Sequence, residues 1–135
     1  MGMKFELTHA NIVRVVIGIL GVSMALYHMW LIWVGAPEAI MFRGTHLLFA
    51  LALTFLIYRR AGSQDQPPSL LDYIFLVLAT APIIYLFVNY EYVVTRIYYV
   101  DDLTPADIFF GVVLVIMILE ATRRVLGPAL PVTAL

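Results

Sequence analysis

Cysteine is absent from this 135-residue chain, which removes disulfides, thiolate metal sites and cysteine nucleophiles from consideration. Charge is scarce as well: Lys, Arg, Asp and Glu make up 13% of residues, against about 25% in soluble domains. The formal net charge is −1, so the concentrated basic patch of a nucleic-acid surface is missing and no nucleic-acid partner is expected. The sequence has no G-x-S-x-G, no H-E-x-x-H and no phosphate-cradling P-loop, the motifs of hydrolysis and nucleotide binding. It has no internal repeat, and no sustained polar–apolar alternation of the kind that builds a membrane β-barrel. The expectation is a protein that is not an enzyme and holds no cofactor.

What the chain has in excess is apolar surface. Hydrophobic residues make up 63%, against about 45–50% in soluble domains, more than a soluble fold of this size can hide. The apolar residues fall into four blocks, at about 11–34, 39–58, 70–89 and 105–126. Each holds roughly 20 residues, which at about 1.5 Å per residue matches a hydrocarbon core of about 30 Å. Helices satisfy their own backbone in lipid, so the chain reads as an all-α, integral membrane four-helix protein. The first block is too long for a signal-peptide core and no small-x-small cleavage site follows it. Its Tyr27, Trp30 and Trp33 suit an interfacial anchor on a retained helix. Arg43 and His46 lie in the first turns of the second block, where Arg43 can snorkel to the surface.

Lys and Arg are distributed unevenly. With four spans, the N-terminus, the polar 59–69 loop and the C-terminus share one side, which holds Lys4, Arg14, Arg59, Arg60, Arg123 and Arg124. The other side holds Arg43 and Arg96. Cytoplasmic loops carry the Lys/Arg excess, so an N-in/C-in topology is expected in a bacterial or archaeal cytoplasmic membrane, with 90–104 as a periplasmic loop on the headgroup belt.

Helix ends carry their own signals. "SLLD" places Ser69 as N-cap with Asp72 at N3, and "TPAD" places Thr104 as N-cap, Pro105 at N1 and Asp107 at N3. Both resemble capping boxes, with ion ligation by Asp72 or Asp107 as the alternative. Pro82 predicts a kink in the third span. Ser23 and Thr54 are expected to hydrogen-bond between helices, and Gly18 and Gly21 to permit close helix approach. In "ILEATRRVLGPALP", Glu120 lies three residues before Arg123 and four before Arg124, on one helix face with the acid first. The arginines then meet the negative end of the helix dipole, and Gly127 and Pro128 stop the helix. His28 and His46 fall at similar depths on neighbouring spans, so a haem iron held by two imidazoles, or a quinone-binding anchor of a redox enzyme, is the rival reading.

From His46 onward the chain resembles the small-subunit portion of TRAP transporter permeases, in particular those fused permeases that work with TAXI-type binding proteins. The residues that carry this are "LEATRRVLGPALP" at Leu119, "HLLFALALTFLIY" at His46, "LLDYIFLVLA" at Leu70 and "DIFFGVVLVIMILEATRR" at Asp107. The resemblance covers about two-thirds of the chain, and the C-terminal motif is the specific one. The resemblance implies a four-helix part that braces a large permease subunit or domain and helps dock a periplasmic solute-binding protein for ion-gradient-driven solute uptake. It implies structural or inter-subunit roles for Glu120, Arg123 and Arg124; Arg43, His46, Asp72, Asp107, Gly127 and Pro128 are expected to be structural or interface residues from their own positions, with membrane lipid as a further partner. The outer loop "TRIYYVDDLTPAD" departs by lacking a glycine before the fourth helix. Fused permeases continue into a large domain, so the chain is expected to be a separate small subunit or a piece of a longer permease, and not to transport alone.

Overall fold

Each apolar block forms a helix in the computed structural model, which describes residues 9–58, 68–97 and 99–134. The helices are α1 (His9–Val34), α2 (Ala39–Ile57), α3 (Leu70–Val88), α4 (Tyr90–Thr95), α5 (Pro105–Leu126) and α6 (Ala129–Ala134). Four of them, α1, α2, α3 and α5, are long and apolar enough to cross a membrane. No strand occurs among the described residues. Lys4, Arg59, Arg60 and most of the 59–69 loop lie outside the described residues.

The starts of the helices follow local chemistry. Glu38 caps α2, its Oε2 accepting from the Ile40 amide at 2.8 Å. Full capping boxes open α3 at Ser69/Asp72 and α5 at Thr104/Asp107, the latter with Pro105 in the first turn. Helix α3 runs unbroken through the buried Pro82. At the end of α5, Gly127 takes φ 83°, a value that suits glycine because it has no Cβ, and its amide donates to the Arg123 carbonyl at 3.0 Å.

Two short helices lie outside the four apolar blocks, one of them within the stretch expected as the 90–104 loop. Asn89 keeps its amide on the Tyr85 carbonyl at 3.0 Å and its own carbonyl accepts from Val93. The chain therefore re-enters helix as α4 instead of starting the 90–104 loop. Beyond Gly127 the Pro128 carbonyl accepts from the Val132 amide at 3.2 Å, and α6 folds back against α5.

Packing divides the four spans unequally. The core consists of Leu51 and Phe55 from α2, Ala79 and Ile83 from α3, and Met117 and Ala121 from α5. Helix α1 packs against α2 and buries Val13 and Leu31. Only 6% of its most apolar stretch is buried, against 22% for α3. The start of α1, the start of α3 and the end of α5 share one end of the bundle, here the near end, because His9 meets Tyr73 and Arg124 meets Asp72. At the far end His28 meets His46, and Tyr85 meets Asp107. The order is thus up-down-up-down.

Three packing expectations need correction. Thr54 does not bridge helices: its Oγ1 donates to the Ala50 carbonyl of its own turn at 2.7 Å, the back-bond open to any helical Thr. Ser23 faces outward. Gly18 and Gly21 have nothing within 4 Å of an added Cβ, whereas at Gly44 a Cβ would lie 2.6 Å from the Phe87 ring. The close approach is therefore between α2 and α3. Outside the core the helices present bare apolar side chains, among them Ile19, Trp33, Val77 and Phe109, as a lipid- or partner-facing surface must.

Candidate functional site

The charged residues of the C-terminal motif form one connected cluster at the near end. Arg123 grips Glu120 with two hydrogen bonds, Nε to Oε2 at 2.7 Å and Nη2 to Oε1 at 2.8 Å, and stays half exposed. Arg124 does the opposite and turns inward, its side chain only 3% exposed. Its Nε donates to Glu120 Oε1 at 2.9 Å, and its Nη1 donates to Asp72 Oδ1 at 2.7 Å and to the Tyr58 carbonyl at 3.0 Å. The guanidinium carbon lies 4.9 Å from the Phe55 ring centre and 5.0 Å from that of Phe75, where cation–π attraction adds to the ion pairs.

One side chain thus joins α5, α3 and the end of α2. Its Nη2 is buried with no hydrogen-bond partner among the described residues. A wet helix end reaching for headgroups accounts for Arg123 but not for Arg124. A buried guanidinium requires opposite charge around it, and two carboxylates supply it. Gly127 and Pro128 set the turn behind this cluster.

Asp72 caps α3 as its spacing predicts, and it also pairs with Arg124. Its Oδ2 accepts from Ser69 N at 3.0 Å and Ser69 Oγ at 2.8 Å, closing the cap. The remaining oxygen is the one Arg124 uses. Asp107 repeats the arrangement at the far end. Oδ2 accepts from Thr104 N and Oγ1 at 2.9 and 2.8 Å and from the Tyr92 hydroxyl at 2.7 Å, while Oδ1 accepts from the Tyr85 hydroxyl at 2.8 Å. Asp107 therefore caps α5 and ties α3 and α4 to it. A cavity of about 150 Å³ lies beside it, lined by Pro82, Arg96, Phe110 and Gly111 among others.

His28 and His46 do come together, as their depths predicted. The His28 Nδ1 lies 2.7 Å from the Met24 carbonyl. A carbonyl only accepts, so the proton sits on Nδ1 and leaves Nε2 to accept from His46 Nδ1 at 3.1 Å. The rings meet edge to face at 5.1 Å between centroids. A haem does not fit this arrangement, because the two imidazole rings touch each other directly and leave no slot for a porphyrin between them. Arg43, exposed, lines the same cavity as the pair.

Sequence reasoning missed Phe55, Phe75, the Tyr58 carbonyl, Tyr85 and Tyr92. Aromatic residues inside apolar helices look like filler, and nothing local signals a partner 22 or 52 residues away. Comparison with protein-family models, with curated proteins and with solved structures found no match.

Proposed function

We propose that the chain is the small four-helix part of a TRAP-type secondary transporter in a bacterial or archaeal cytoplasmic membrane. In this reading it braces a large permease and helps dock a periplasmic solute-binding protein during ion-gradient-driven uptake of an organic solute. The observation that carries the proposal is the state of the motif's charges. Glu120, Arg124 and Asp72 are engaged with one another as a joint between helices. An ion or solute ligand in a transport path must exchange partners with its cargo, and a side chain buried among two carboxylates and two phenyl rings is poorly placed for that. The outer surface of the bundle is apolar on α1, α3 and α5, which suits a helix bundle seated beside a larger membrane protein.

The Lys/Arg distribution supports an N-in/C-in orientation. The near end then faces the cytoplasm, and residues 35–44 and 90–104 face the periplasm, where a binding protein docks. Affinity purification of the tagged chain from native membranes in mild detergent tests the reading. A multi-span permease is expected to come with it; recovery of the chain with no large membrane partner sinks the proposal.

A further inference from the structure

The hydrogen-bonded histidine pair at the far end brings two imidazole nitrogens within reach of one ion. We propose that His28 and His46 form a two-imidazole site for a borderline transition-metal ion, with divalent copper as the best fit. The two facing nitrogens, His28 Nε2 and His46 Nδ1, are 3.1 Å apart. A metal about 2.0–2.1 Å from each, as imidazole ligation requires, would see them at an angle of about 100°. That lies between the square-planar and tetrahedral values favoured by copper and zinc. Moving the His46 proton from Nδ1 to Nε2 frees a lone pair on each facing nitrogen with no change in net charge, and rotation of the two rings then turns both toward the ion.

A second observation points the same way. His28 Nδ1–H is anchored on the Met24 carbonyl at 2.7 Å. Metal-ligating histidines usually fix their other ring nitrogen in this manner, which sets the tautomer and the ring plane. The pair opens into a cavity of about 490 Å³ lined also by Phe42, Arg43 and Leu47, enough room for the remaining ligands.

The surroundings set the selectivity. No group of three metal-capable side chains forms among the described residues, so the other positions fall to water or a small anion, and the Arg43 cation on the cavity wall favours an anion. With no carboxylate in the cavity lining, magnesium and calcium have nothing hard to bind. Copper tops the affinity order for nitrogen sites.

The test uses the full chain without a polyhistidine tag, in detergent, titrated with cupric ion alone. Saturation at one copper per chain is expected, with an electron paramagnetic resonance signal that reports two equatorial imidazole nitrogens. Zinc should compete and magnesium should not. Loss of an outer-shell partner alone costs about 10–100-fold in metal affinity, so His28→Gln and His46→Gln should each exceed that, while His9→Gln at the near end should bind as the parent does. Absence of saturable binding overturns the proposal, as does a signal with fewer than two nitrogens. The wild-type spectrum decides this even if a variant fails to fold. Equal losses in all three variants would place the ion elsewhere and also overturn it.

Discussion

Arg124 and Arg123 are neighbours of the same type with opposite environments, one 3% and the other 48% exposed at the side chain. Removing one partner of a buried ion pair leaves an uncompensated charge and costs roughly 3–5 kcal/mol. Arg124→Leu should therefore lower the thermal unfolding midpoint of the detergent-solubilised protein sharply, while Arg123→Ala, which faces solvent, should leave it nearly unchanged. Glycines give a second contrast. At Gly44 an added methyl meets the Phe87 ring at 2.6 Å, and overpacking of this kind costs about 1–3 kcal/mol, more than the gain of about 1 kcal/mol in helix propensity. Gly44→Ala should destabilise, and Gly18→Ala, with open space around it, should stabilise slightly. The sequence pattern revealed Asp72 and Asp107 as caps, because the Ser/Thr-x-x-Asp spacing is local. It could not reveal their second oxygens, whose partners are set by how the helices pack.

At the scale of elements, α5 depends on Asp107 for more than its cap. Loss of an N-cap side chain costs about 1 kcal/mol, which is the expected effect of Thr104→Ala. Asp107→Ala should cost more, because the Tyr85 and Tyr92 hydroxyls lose their acceptor too. Hydrogen exchange locates the difference: α4 amides should exchange faster in Asp107→Ala and those of α1 should not. The long helices were readable because each is a continuous apolar run of membrane-spanning length. The short ones were not. Pro128 after Gly127 reads as a stop, yet proline suits the opening of a helix equally well, and α6 begins at the next residue. In the 90–104 stretch, tyrosines on a belt and tyrosines on a one-turn helix have the same composition.

For the whole molecule, lipid accounts for both what the sequence disclosed and what it withheld. A bilayer demands helices of a set length, so the all-α four-span architecture follows from hydropathy. The same solvent tolerates apolar side chains everywhere, so pattern alone cannot show that α2, α3 and α5 form the core while α1 sits on the edge. The absence of cysteine makes orientation directly measurable. In intact cells a membrane-impermeant maleimide should label Asp101→Cys, and should reach Val132→Cys, at an exposed position, only after permeabilisation; the reverse pattern would contradict the N-in/C-in assignment. A bundle that braces a larger membrane protein must touch it along at least one helix, which photo-crosslinking in native membranes detects. With a crosslinking residue placed in turn at the exposed positions Ile19, Val77 and Val112, at least one helix should yield an adduct with a single larger multi-span protein. Adducts with lipid or with a second copy alone, from all three helices, would contradict it.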